Sequence, residues 1–187
     1  MGTVISFEER AVATLRDRLG AAESAKDDLI AFARGHSGAT AAIHSAVLAL
    51  MEADGPDALF RVVTEDWTRI LGIDHAVLTL VADGKGFRVE SGHIGTVEPK
   101  IVDRAIERLD PVTMRTVDCG HPLFGQAARH VRSEALILLP TEAPLPYGLL
   151  LLGQGNEVGL DNRHGAQLLG FLGASLSAML RRWLTNG

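Results

Sequence analysis

The stretch Glu134–Gly153, EALILLPTEAPLPYGLLLLG, decides the fold. It reads as two strands, Ala135–Leu139 and Tyr147–Leu152, joined by a loop carrying Pro140, Pro144 and Pro146. Each strand is a nearly unbroken aliphatic run. Alternating polarity would mark one wet face, whereas a continuous run requires cover on both faces. The short connection makes the two strands antiparallel neighbours in the middle of a sheet.

Downstream, GQGNEVGLDNRHG leads into a last helix of about Arg163 to Leu184, capped by Asp161 or Asn162. Leu168, Leu172, Leu176, Met179 and Trp183 form its large apolar stripe, and Ala166, Gly170, Gly173 and Ser177 a small-residue one. The large stripe suits a sheet and the small stripe suits close approach by another helix. This predicts a helix held between the sheet and the N-terminal helices.

Upstream, Pro56 opens a helix whose apolar face is Leu59, Val62, Val63, Trp67, Ile70 and Leu71, and Gly72 stops it. A strand over Asp74–Val81, a turn at Asp83-Gly84-Lys85-Gly86 and a strand over Phe87–Glu90 make a hairpin. Gly92–Gly95 reads as loop, Glu98–Leu109 as a helix and Val112–Val117 as an edge strand. Asp118–Arg129 reads as loop with one helical turn.

The first third carries a three-four spacing of apolar positions from Val12, Leu15 and Leu19 through Ile43, Val47 and Leu50, the rhythm of a coiled-coil seam. Lys26, His36 and Thr40 interrupt it, and Gly35-His36-Ser37-Gly38 divides it into helices of about Phe7–Arg34 and Ala39–Ala53. Such a face either pairs with a second copy or folds back on its own domain; self-association is the preferred reading. The expected division is a helical arm over 1–53 and a globular domain over 54–187. The mixed order of elements with local pairings gives an α+β fold, an antiparallel sheet with helices.

Composition narrows the function classes. Hydrophobic residues make up 47% and charged residues 22%, enough for a buried core. The formal net charge of -5 speaks against a nucleic-acid partner. The acidic start, with Glu8, Glu9 and Asp17, is no signal peptide, and the apolar runs are too short to span a bilayer. The single cysteine, Cys119, builds no disulfide or thiolate metal site within one chain, and a cytoplasmic location is the default expectation.

No catalytic motif is legible. The seven histidines lack a metal-binding spacing, so no metal is expected. Cys119-Gly120-His121 is a nucleophile-base pair only if the two side chains converge. Gly153-x-Gly155-x-x-x-Gly159 sits where a phosphate loop would, but with the wrong spacing; its glycines are read as serving positive φ. A polar set beside the dry sheet marks a candidate ligand pocket: His93, Arg115, Cys119, His121, Phe124, Arg132 and Ser133. In it Arg115 would meet a carboxylate or phosphate and Phe124 would form an apolar wall.

Several segments together resemble a bacterial family, the domain-of-unknown-function 484 family. They are LRDRL, DDLIAFAR and VLALMEA in the helices, LFG at Leu123–Gly125, SEALILLP at Ser133–Pro140, YGLLLLGQG at Tyr147–Gly155, and LLGFLGASLSAMLRRWL at the end. The chain departs from the family's usual pattern at Gly153-Gln154 and Leu160. The resemblance implies a GAF-like, PAS-related sheet of five or six strands with helices on both faces. It also implies a small-molecule pocket between sheet and helices and a homodimer through the N-terminal and C-terminal helices. The resulting expectation is a non-enzymatic sensor or regulatory module that uses no cofactor. A ligand-free interaction scaffold is the alternative, and an enzyme acting through Cys119 a distant third.

Overall fold

In the computed structural model, which describes residues 18–20, 23, 26, 37–139, 147–156 and 163–185, six strands form one antiparallel sheet. They are β1 (His75–Ala82), β2 (Lys85–Glu90), β3 (His93–Val97), β4 (Val112–Thr116), β5 (Ser133–Leu139) and β6 (Tyr147–Gln154). Their spatial order is β3-β2-β1-β6-β5-β4. The aliphatic pair β5 and β6 runs in register from Ser133 opposite Gln154 to Leu139 opposite Gly148. Its outer neighbours are β4 and β1, so the pair lies inside the sheet as its unbroken hydrophobicity requires.

Successive residues of these strands feed opposite cores. Leu78, Leu80, Ile137, Leu150 and Leu152 face one side. Val77, Val81, Leu136, Leu149 and Leu151 face the other. The first side is covered by α1 (helical over 37–51), α2 (Pro56–Arg61), a π-helical turn (Val62–Asp66), α3 (Trp67–Leu71) and α5 (Arg163–Thr185). The second side is covered by α4 (Pro99–Ile106) and a 3-10 segment (Pro122–His130).

The chain divides into two compact units, Met1–Ala39 and Thr40–Gly187. Most of the expected first helix, and with it most of the seam, lies outside the described residues; 18–20, 23 and 26 are helical. The division falls at Ala39/Thr40, within the first turn of α1, and the expected boundary was drawn at 53. The physical reason is burial: Ile43, Ala46, Leu50 and Ala53 belong to the first core. In addition, the buried Trp67 indole donates to the Ala46 carbonyl at 2.9 Å. The turn at Asp54-Gly55-Pro56 ends a helix without ending the domain. The proline loop at 140–146, Gly159 and the capping candidates Asp161 and Asn162 also lie outside the described residues.

Two features were not foreseen. First, the helix opened by Pro56 widens into the π-helical turn. The Thr64 hydroxyl donates to the Phe60 carbonyl at 2.8 Å, the group that the Thr64 amide would use in an α-helix. That hydroxyl also accepts from the Gly92 amide at 2.9 Å, pinning the β2–β3 turn. Second, Gly92–Gly95 is not simply a loop. Ser91 and Gly92 both have positive φ, forming a two-residue turn, and His93 onward pairs with β2 as strand β3. Residues His93 to Thr96 of this edge strand are exposed, so no apolar alternation announces it.

The small-residue stripe of α5 is also corrected. A Cβ on Gly173 would stand 2.5 Å from Cγ2 of Ile137 on β5, and one on Gly170 would be 3.6 Å from Val112 on β4. These positions admit the sheet rather than another helix. Gly153 and Gly155, at the end of β6 and just past it, do not have the expected positive φ. A Cβ on Gly153 would meet Val131 at 2.9 Å and Phe124 at 3.0 Å. The Gly155 amide is held by the Asp74 carboxylate at 2.7 Å.

Candidate functional site

A charged residue heads the aliphatic run. Glu134 is the second residue of β5 and its side chain is fully buried. A buried carboxylate is tolerated only when its oxygens are satisfied. One oxygen accepts from Arg115 Nε at 2.7 Å and Nη2 at 2.6 Å. The other accepts from the His121 backbone amide at 2.6 Å. Antiparallel register sets this geometry, since Arg115 on β4 stands directly opposite Glu134.

His121 caps the 3-10 segment. Its Nδ1 accepts from the Leu123 amide at 3.2 Å. In the neutral ring that bond leaves the proton on Nε2, which is then a donor. Burial holds the His121 imidazole below its ordinary range; Glu134 pulls the other way, and Arg115 adds to the lowering.

Arg115, His121 and Pro122 line one wall of an open cleft of about 330 Å³. The other wall is α4 and the turn after it: Ile101, Arg104 and Ala105 from the helix, Arg108 and Leu109 from beyond its end. Arg104 is in the last turn of α4 and Arg108 in the turn beyond its end, and both line the cleft. The neighbouring Asp103 accepts from the Tyr147 hydroxyl at 2.7 Å, tying the start of β6 to α4. That bond is the main reason Tyr147 is held above its ordinary range.

Of the seven residues singled out from the sequence, the structure brings only Arg115 and His121 to this cleft. Phe124 is not a pocket wall. It is fully buried, wedged beside Gly120 and Gly153, because both glycines leave room for its ring. Ser133 is buried at the start of β5 and donates to the Asn156 carbonyl at 2.9 Å. Arg132 clamps the backbone carbonyls of Asp118, Arg129 and Val131. His93 is exposed on β3, bonded to the Ser91 carbonyl. Cys119 is exposed; His121 Nδ1 is engaged by Leu123, and among the described residues no hydrogen bond joins the two side chains.

Arg88 was missed. From β2 it donates to the carbonyls of Leu123 at 2.7 Å and Phe124 at 2.8 Å, and it pairs with Glu90. It therefore fastens the kink at Gly125 to the sheet. Arg104 and Arg108 were missed too; the expected helix over Glu98–Leu109, which the structure ends at Ile106, was read only for its apolar face.

A second open cavity, of about 250 Å³, lies beside the π-helical turn and includes Thr64, Glu65, Asp74 and Glu90. Among the described residues no group of three or more His, Cys, Asp or Glu is placed to hold a metal ion. No described helix is long and apolar enough to cross a membrane.

Comparison with solved structures defines the class. The GAF domain assigned to a sensor histidine kinase from Pseudomonas syringae pv. tomato matches with a TM-score of 0.52 at 15% identity, over 84% of this chain and 96% of that one. A protein in its far-red-absorbing dark state with bound biliverdin IXa gives 0.54 at 13% identity, over 76% and 99%. The bacteriophytochrome RpBphP3 from R. palustris gives 0.53 at 12% identity, over 78% of this chain and 38% of that one. The fold is GAF-like. A model of the family described as "Protein of unknown function, DUF484" matches residues 1–185, and the chain belongs to that family. No curated protein matches it.

Proposed function

We propose that this chain is a non-enzymatic sensory or regulatory module that binds a small molecule in the cleft between α4, β4 and His121. We further propose that it acts as a homodimer through its N-terminal and C-terminal helices in the cytoplasm. The observation that carries the reading is the cleft itself, where donor side chains from three separate elements converge over apolar groups. The GAF-like fold supports it, since members of this fold are often sensory and ligand-binding, and one structural neighbour carries biliverdin. A ligand regulates only if it binds two arrangements of the module unequally.

Thermal-shift screening of the full chain against nucleotides, amino acids, organic acids and neutral metabolites tests the reading. A ligand that raises the melting temperature and perturbs α4 and His121 supports it. A screen without hits there, together with a monomer in light scattering, would sink it.

The scaffold reading keeps one specific observation in its favour. The space between the sheet and its second helical cover is filled by Leu123, Phe124, Val102 and Val131, all buried. Ligand-independent dimerisation without any hit in the screen would favour it.

A further inference from the structure

The open cleft presents donors on both walls, and its apolar surface comes from Ile101, Leu109 and Pro122. Resting on the reading of this cleft as the ligand site, we infer that it takes a small amphiphilic oxyanion. A carboxylate or phosphate group is held by Arg104, Arg108 and His121, and an apolar body lies on Ile101, Leu109 and Pro122.

Three observations carry this. The first is an uncompensated charge. Two exposed cations, Arg104 at the end of α4 and Arg108 in the turn after it, line the same wall. Neither Arg104 nor Arg108 has a hydrogen-bond or ion-pair partner among the described residues. The nearby acids are otherwise placed: Asp103 is engaged by Tyr147, and Glu134 is engaged by Arg115 and the His121 amide. Glu107 and Asp110 are not among the cleft's lining. This cationic wall stands on a chain whose net charge is -5, so it draws anions to one place on an otherwise repelling molecule.

The second is donor geometry. Arg115 spends Nε and Nη2 on Glu134 and keeps Nη1 for another acceptor. The Leu123 amide occupies His121 Nδ1, so the neutral ring offers Nε2–H. The side chains lining the cleft thus bring donors and no carboxylate. The third is rigidity. Glu134 is fully buried and grips both Arg115 and the His121 backbone, fixing one wall before any ligand arrives.

The test uses the full chain in a phosphate-free buffer near neutral pH, titrated with phenyl phosphate, phenylacetate and the neutral phenylacetamide. Affinity is read by calorimetry and location by amide NMR shifts. At least one anion is expected to perturb α4, Arg115 and His121–Leu123, with phenylacetamide weaker by about tenfold or more. The anion that binds distinguishes phosphate from carboxylate. The R104Q/R108Q variant, melting at the same temperature, is expected to lose about tenfold or more in anion affinity. Equal binding of phenylacetamide at the same residues, or anion binding indifferent to R104Q/R108Q, overturns the oxyanion assignment and leaves the cleft a ligand site. Silence of the cleft toward all three probes also overturns it. The cleft itself falls only if the broad thermal-shift screen yields no ligand there either.

Discussion

Glu134 shows how a single charged side chain is kept inside a sheet. Its partner Arg115 is 47% exposed, so the pair is only half withdrawn from water and its Coulomb energy is screened accordingly. What remains is a set of charged hydrogen bonds, one of them from the His121 amide. Glu134→Gln keeps the shape, removes the charge and points an amide donor at groups that themselves donate. A loss of about 2 kcal/mol is expected in urea denaturation, with the m-value unchanged. A loss below about 0.5 kcal/mol would show that the carboxylate is not structural.

His121 carries a pH signature whose sign follows from its lowered pKa. The unfolded ring titrates at its ordinary value of 6.5, and the folded ring titrates lower. Between those values the unfolded chain binds more protons, so stability rises with pH in that window. Above it the effect is absent; as pH falls below 6.5 the protein is progressively penalised. His121→Asn retains an acceptor for the Leu123 amide and removes the titration. Its stability measured across this window is expected to vary less with pH than that of the parent. Parallel curves would remove His121 from the account.

At the level of elements, α5 separates two glycines that the sequence treated alike. Alanine gains up to about 1 kcal/mol over glycine within a helix. At position 170 the new methyl meets Val112 at ordinary contact distance, so Gly170→Ala is expected to stabilise. At position 173 it would stand 2.5 Å from the buried, β-branched Ile137, and Gly173→Ala is expected to destabilise by about 1–2 kcal/mol net. Melting curves of the two variants check this, and shifts of the same sign would contradict it.

The same helix shows what could be read in advance. Apolar periodicity revealed that α5 has a large and a small stripe, because spacing is a property of the chain alone. It did not reveal which neighbour each stripe meets, because that depends on sheet register. Strand β3 was hidden for a related reason: an exposed edge strand buries little and shows little alternation. The aliphatic pair was legible because burial on both faces leaves a continuous apolar run. Arg115 and His121 were found among the polar residues beside it. Arg104 and Arg108, close before Arg115 in the chain, were not, because the stretch that holds them was read for its apolar face alone.

Over the whole molecule, the placement of α1 decides where the chain can be cut. Residues 43, 46, 50 and 53 supply buried side chains to the first core, and among the described residues none before Ile43 belongs to it. A chain beginning at Thr40 is therefore expected to melt cooperatively. One beginning at Asp54 loses Ile43, Ala46 and Leu50, and leaves the Trp67 indole without its Ala46 acceptor. With each large core truncation worth about 2–5 kcal/mol, that shorter chain is expected not to fold. Circular dichroism and calorimetry compare the two, and cooperative melting of the shorter chain would refute the assignment of α1 to the domain.

The order of strands also has a consequence in time. Two-residue turns join β1 to β2 and β2 to β3, so that half of the sheet is assembled from short-range encounters. Thr79 on β1 and Leu149 on β6 are 70 positions apart, yet they face each other at the seam between the halves. Closing so long a loop before its contacts repay the entropy makes this encounter the bottleneck of folding. Leu149→Val should therefore slow refolding, whereas Val89→Ala, in the locally formed half, should act mainly on unfolding. Stopped-flow chevrons with the two effects reversed would place the bottleneck elsewhere. The backbone at the seam leaves no room for a larger residue at Gly148, where a Cβ would strike the Thr79 carbonyl. The slowest meeting in folding is thus expected at a seam where one strand position admits only glycine.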